Sequence, residues 1–267
     1  MGRLFSAGFV EKTSLPPIEA GVRVGSSVIP VSGDEGTGDF KPSEIASADF
    51  PRLPQSTLQR LRGITGVTPT ASDILDELGY SLAVSAAQIG LRTVPALVIG
   101  HALTVRYLPE RRAAAHPDLR RGPSRLTHHT AFALAQPGDV LVVEVGGAST
   151  VSVLGGVAAQ AASKARLSGC IVDGGIRDVE QIRSLNLPVW SRLVTPRTGK
   201  WRVEAVGINV PIACGGVQVR AGDLVIADET GLCFIPIEVA QLVIDRILEV
   251  GRQEKQQLKA TRTGNSD

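Results

Sequence analysis

The chain has 267 residues, with 28 Lys and Arg against 26 Asp and Glu, a formal charge of +2. That balance excludes a generic polyanion binder and a disordered acidic or basic chain, and 43% hydrophobic residues is an ordinary fraction for a globular protein. Aromatics make up only 4%, so the core must be built from Val, Ile, Leu and Ala.

Residues 1–55 contain 6 of the 16 prolines and the Gly-rich run Ser32–Gly38, and no helical period survives there for more than a turn. This predicts an extended, partly irregular arm with a strand at Gly25–Val31. From Ser56 the pattern is globular. A short helix is expected at Thr70–Gly79, its start rich in capping side chains. A β-rich run follows at Val94–Arg106, then a helix at Thr127–Gln136 stopped by Pro137-Gly-Asp139. Val140–Val145 reads as a buried strand, Gly155–Leu167 as an Ala-rich helix and Cys170–Asp173 as a short apolar strand. A turn is expected at Gly174–Asp178, a helix at Val179–Leu185 and a strand at Pro188–Val194. Residues Trp201–Phe234 alternate short β runs with turns. A helix at Ile237–Val250, with Val239, Val243, Ile247 and Val250 on one stripe, closes the pattern before a polar tail at 256–267.

Helices and strands alternate early and strands dominate late, which predicts an α/β fold with a mixed sheet. No Gly-x-Gly-x-x-Gly opens a helix after a strand, so a dinucleotide fold has no support. Cys170, Cys214 and Cys233 are too few and too widely spaced for a disulfide framework, as expected of a reducing cytoplasm. No apolar run is long enough for a membrane span, and the first nine residues make a poor secretory signal.

The segment Gly155–Asp178 (GGVAAQAASKARLSGCIVDGGIRD) carries the chemistry. Two glycines open a helix, whose first turn presents free amides and a positive dipole end. Without Cβ atoms there, a carboxylate or phosphate can approach closely. Close packing of the helix would use the same glycines. Arg177 offers a planar fork for a carboxylate, and Asp178 offers hard oxygens for magnesium or manganese. Equally, Asp178 could cap the helix at Val179 and Arg177 could be an ordinary surface charge.

With Thr70-x-x-Asp73, Gly100-x-Ala-x-Thr-Val105, Pro137-Gly-Asp139 plus VLVVEVGG, Pro211-x-x-Cys-Gly-Gly216 and Gly222–Gly231, this segment resembles the RraA-like family. The likeness runs in unbroken order over residues 56–255. That family includes the metal-dependent class II 4-hydroxy-4-methyl-2-oxoglutarate aldolases. The resemblance implies a layered β/β/α swivelling-domain-like fold, a homotrimer or homohexamer with sites at subunit interfaces, and a small 2-oxo acid as substrate. It implies cleavage of a carbon–carbon bond to release pyruvate, including decarboxylation of oxaloacetate. Gly155, Gly156, Val157 and Ala158 correspond to the substrate-binding helix start, Arg177 to the substrate arginine and Asp178 to the metal aspartate. Mg2+ is the implied ion, with Mn2+ as the alternative. The family's aldolases carry an acidic residue where this chain has Gly156. Glu144, Asp228 and Glu229 are the candidate replacements, although the last two fit a turn between strands. Some relatives regulate a ribonuclease by binding it, so the rival expectation is a non-catalytic interaction protein.

Arg106–His129 holds six arginines and three histidines. Without interleaved aromatics it reads as a solvated loop rather than a nucleic-acid patch. His101 reads as a packed, hydrogen-bonded core residue.

Overall fold

The computed structural model describes residues 22–24, 27–29, 50–112, 125–126, 128–147 and 150–263. Where one strand was expected at Gly25–Val31, two short strands, β1 (Val22–Val24) and β2 (Ser27–Ile29), pair antiparallel. His116 and most of the Arg-rich stretch lie outside the described residues.

Ten strands form one mixed sheet. Its centre is four parallel strands: β5 (Val98–Pro109), β6 (Val140–Val145), β8 (Gly169–Ile176) and β9 (Val189–Val194). About half of their residues are Val, Ile or Leu, and most of their positions are buried, as befits strands covered on both faces. The antiparallel flank consists of β13 (Leu224–Ala227) on β5, β14 (Gly231–Ile235) on β13 and β3 (Ala83–Ser85) on β14. β4 (Gly90–Leu91) closes the other edge against β9. β7 (Ser152–Leu154) adds to β8, and β10 (Val203–Ile208) adds to the far half of β5. The expected layered α/β fold with a mixed sheet is the fold observed.

The parallel strands run in sequence order, so right-handed crossovers place their connecting helices on one face. These helices are α3 (His128–Leu134), α4 (Gly156–Lys164) and α5 (Val179–Ser184). They bury Leu141, Val143, Cys170 and Val172 together with Ala159 and Ala162. On the opposite face, the hairpin of β11 (Ile212–Cys214) and β12 (Val217–Val219) covers Val140, Val142, Ile171 and Trp190. α1 (Gln55–Leu61), α2 (Val67–Glu77) and α6 (Ile237–Thr263) enclose a separate cluster over the antiparallel flank.

Several elements differ from their sequence-based expectation. α2 starts at Val67 behind Gly66, which is in the left-handed region (φ 67°) and supplies no side-chain cap; the Thr70 hydroxyl bonds back to the Gly66 carbonyl instead. β8 continues through Gly174 and Gly175, with a register shift against β9 between Val172 and Gly175, where a turn was expected. A Cβ on Gly175 would lie 2.6 Å from the Val151 carbonyl oxygen, and one on Gly174 2.7 Å from a Val145 methyl. These glycines therefore allow close packing within a strand and do not reverse the chain. α6 continues past Val250 to Thr263 because GRQEKQQLKA is rich in helix formers, with Gln253 bonded to Glu249 one turn back. The end of the expected arm is anchored: Arg52 pairs with buried Asp139 at 3.0 Å, and the Leu53 amide donates to His101 Nε2 at 3.0 Å. His101 Nδ1 lies 2.9 Å from the Gly222 carbonyl, so the ring is a neutral core bridge whose pKa burial lowers.

Candidate functional site

At the carboxyl end of β8, the usual place for a ligand in an α/β sheet, stand Arg177 and Asp178. Their backbone is fixed on both sides. The Arg177 amide donates to the Leu154 carbonyl of β7 at 3.0 Å, and the Asp178 carbonyl accepts from Ile182 in α5 at 3.0 Å. Asp178 occupies the N-cap position of α5 in the left-handed region (φ 56°, ψ 40°) and makes no side-chain bond to that helix. A non-glycine residue there costs on the order of 1 kcal/mol, although Asp tolerates it better than most. Its carboxylate turns to α4 instead, where Oδ2 accepts the Gly156 amide at 3.0 Å. Of the two sequence readings of Asp178, a cap for its own helix is thus wrong in its partner: the side chain caps the neighbouring helix, where a negative charge also meets the positive dipole end.

α4 forms because its sequence is Ala-rich, and it lies close to the sheet because the residues facing inward, Gly156, Ala159 and Ala162, are small. Gly155, just before it, has extended backbone (φ −133°). A Cβ on Gly155 would lie 2.8 Å from Asp178 Oδ2 and 3.0 Å from Arg177 Nε. Glycine at 155 is therefore what lets the charged pair close onto the helix start. Arg177 Nε is 3.5 Å from Asp178 Oδ2, and both side chains are well exposed, at 39% and 43%. The amides of Val157 and Ala158 belong to the first turn, where no intrahelical acceptor exists. The structure brings Gly155, Gly156, Arg177 and Asp178 together, and Val157 and Ala158 follow them in the first turn of α4. The Gly156 amide, however, is engaged by Asp178 in place of a ligand.

Sequence reasoning missed Gln181. A Cβ on Gly156 would fall 1.9 Å from Gln181 Oε1 and 2.3 Å from its Cδ, so the carboxamide fills the volume that a side chain at 156 would take. No local signal marked it, because its neighbour Gly156 lies 25 residues earlier in sequence, on another helix.

The suggested replacement acids lie elsewhere. Glu144 points to the other face of the sheet, into a polar cleft of about 330 Å3 with Asp173, Arg192 and Ala213. There Glu144 pairs with Arg106 at 3.3 Å and accepts the Ala213 amide, while Asp173 pairs with Arg192 and accepts the Gly215 amide at 2.8 Å. Asp228 stabilises the turn before β14 by accepting the Thr230 amide at 2.7 Å. His128 is buried, with its ring stacked on Phe132, and bonds to Tyr107 and the Val153 carbonyl. Burial drives its pKa down to about 4. Among the described residues, no three His, Cys, Asp or Glu side chains gather as a ready-made metal site.

A family model described as "RraA-like: Aldolase/RraA" matches residues 68–234. The chain belongs to the RraA-like family. Protein DlpA of Legionella pneumophila is 28% identical over 236 residues, 85% of this chain and 35% of DlpA. A Thermus thermophilus protein named 4-hydroxy-4-methyl-2-oxoglutarate aldolase is 35% identical over 100 residues, 37% of this chain and 60% of that protein. The chain thus spans about a third of DlpA and somewhat over half of the Thermus protein. Among solved structures of RraA-like proteins, Streptomyces coelicolor RraAS2 is described as an unusual member of the RNase ES inhibitor RraA protein family. It superimposes with a TM-score of 0.66 at 28% identity, covering 78% of this chain and 98% of that one.

Proposed function

We propose that this RraA-like protein is a divalent-metal-dependent lyase that breaks a carbon–carbon bond of a 2-oxo acid and releases pyruvate. The observation that carries this reading is the packing of Arg177 and Asp178 onto Gly155 at the start of α4, which gathers a guanidinium, a carboxylate and first-turn amides at one strand end. The name of the Thermus relative supports the same chemistry.

The donor set suits a hard cation. Asp178 uses Oδ2 for the Gly156 amide, and its side chain remains 43% exposed. One carboxylate, with the other positions left to water and substrate, is the kind of site that Mg2+ accepts, and Mn2+ has similar preferences. When bound, such an ion supplies Lewis-acid polarisation of the 2-oxo group. The chain's own residues do the rest. Arg177 holds the oxo-acid carboxylate or the enolate oxygen that develops as the bond breaks, and this interaction strengthens as charge accumulates. The amides of Val157 and Ala158 anchor the substrate carboxylate at the helix start. Asp178, fixed through Oδ2 by the Gly156 amide, would hold the ion with its other oxygen.

The same reading places the sites at interfaces of a homotrimer or homohexamer. Two apolar side chains flank the site in the open: Val157 (74% exposed) and Val194 (53%), whose register partner Ile176 precedes Arg177. Light scattering on the purified protein tests this, and a monomer at micromolar concentration would refute it. Among the described residues no helix is long and apolar enough to cross a membrane, and the three cysteines are free and buried, which suits a cytoplasmic enzyme.

The second reading is a non-catalytic partner that regulates a ribonuclease, favoured by the likeness to RraAS2 over nearly all of that chain. The experiment that separates the two measures pyruvate release from oxaloacetate alongside inhibition of a ribonuclease by the same preparation. Turnover lost on Arg177→Ala supports the lyase. Inhibition without turnover supports the regulator.

A further inference from the structure

The side-chain atoms nearest to the two glycines of the site belong to Arg177, Asp178 and Gln181. Arg177 is permanently charged and cannot take up a proton. Asp178 is committed by one oxygen to the Gly156 amide. The third group, the Gln181 carboxamide, lies directly over Gly156, with Oε1 1.9 Å and Nε2 2.9 Å from the position of an added Cβ. It can donate and accept hydrogen bonds, but it has no proton to exchange near neutral pH. The group lying over the helix start is therefore polar and neutral.

Two ways of breaking the carbon–carbon bond of a 2-oxo acid make different demands on such a site. Aldol cleavage of a 4-hydroxy-2-oxo acid requires the hydroxyl proton to leave as the C3–C4 bond breaks, so it needs a base. Decarboxylation of a 2-oxo acid bearing a carboxylate on C3 needs none. The C3–C4 electron pair moves toward the 2-oxo oxygen, CO2 departs, and the enolate takes one proton from water at C3 to give pyruvate. We propose that Gln181 is the specificity-determining residue of this site, binding the substrate through its carboxamide and directing the enzyme toward decarboxylation of 3-carboxy-2-oxo acids over aldol cleavage. This rests on the lyase reading above and names its substrate class.

The test uses the full chain with magnesium. Pyruvate release is measured from oxaloacetate, above the rate with magnesium alone, and from 4-hydroxy-4-methyl-2-oxoglutarate. Pyruvate binding is followed by saturation-transfer NMR with and without the metal. The wild type should favour oxaloacetate by at least about tenfold in kcat/KM. Gln181→Glu, which keeps the shape and adds a base, should shift the ratio of the two kcat/KM values toward aldol cleavage by about tenfold or more and introduce a rising limb at the carboxylate pKa in the pH profile. Gln181→Ala should weaken pyruvate binding about fivefold, as loss of one hydrogen bond does. Because Gln181 is exposed, melting temperatures should hold for both variants. Equal or better use of the aldol substrate by the wild type, or an unmoved ratio in Gln181→Glu, overturns the assignment while leaving the lyase reading intact. Absence of pyruvate binding and of turnover on both substrates overturns the lyase reading itself.

Discussion

Replacing Gly155 with alanine should disable the site while leaving the fold in place. The backbone at 155 is extended, so alanine can adopt it, and the new Cβ would lie 2.8 Å from Asp178 Oδ2, 3.0 Å from Arg177 Nε and 3.1 Å from Arg177 Cγ. Ordinary contacts between such atoms exceed these distances, so the pair must retreat by about half an ångström. A displacement of 1 Å at a reacting centre can cost on the order of a hundredfold, so about a tenfold loss of kcat/KM is expected here. The 3.0 Å bond from the Gly156 amide to Asp178 would weaken, at about 1 kcal/mol. The reduced freedom of the unfolded chain offsets about 0.4–1 kcal/mol of that, so the melting temperature should move by less than about 3 °C. Gly156→Ala is the matched control. The atoms nearest its Cβ are all in the carboxamide end of exposed Gln181, which can swing away, so its loss should not exceed that of Gln181→Ala. Steady-state pyruvate release, with thermal unfolding on the same samples, checks both variants. Full activity in Gly155→Ala would refute the claim that the pair acts from its place against residue 155.

Three further outcomes are expected. Gly100→Ala should destabilise by about 3 kcal/mol or more, because its Cβ would lie 2.1 Å from the Gly138 carbonyl oxygen, a backbone atom that cannot rotate away; a melting temperature unchanged within about 2 °C would contradict this. His128 is held neutral by burial, with its pKa lowered from 6.5 to about 4, so its contribution is complete above pH 6.5 and is lost as pH falls toward 4. Burial raises the Asp223 carboxyl from 3.8 to about 6, which favours its protonated form and works in the opposite direction over the same window. The effect of His128 is therefore read as the stability gap between wild type and His128→Gln in urea unfolding, which should narrow by up to about 3 kcal/mol between pH 6.5 and 4; a constant gap would refute it. Asp178→Asn keeps an oxygen for the Gly156 amide and tolerates the left-handed backbone, so it should fold normally and lose more than the roughly 10–100-fold that indirect metal partners cost, with calorimetry showing weakened magnesium binding.

The mixed α/β sheet was legible because short, mostly apolar runs such as Val140–Val145 and Cys170–Asp173 alternate with helix-like segments such as the Ala-rich Gly155–Leu167. Gly174–Gly175 misled because the demand for glycine there comes from Val145 and Val151, which lie 29 and 24 residues earlier in sequence. No local rule distinguishes such a strand from a turn. The same holds for Asp178. Its sequence neighbours suggest a cap for α5, yet its partner is the Gly156 amide 22 residues back. Arg177, Asp178 and the two glycines could be named in advance because their chemistry is visible in their side chains, or in the lack of them. Gln181 could not, because its role depends on space left open by Gly156 across a helix–helix contact. Glu144 looked available as an acid until the sheet placed it on the face away from α4, paired with Arg106.

The most direct test of the central claim is pyruvate release from oxaloacetate by the wild type and by Arg177→Ala, each with magnesium and then with excess EDTA, corrected for the reaction in magnesium alone. A lyase working through Arg177 and Asp178 should turn over only with the metal and should fall to background in Arg177→Ala. Turnover that survives EDTA, or that Arg177→Ala retains, would contradict it.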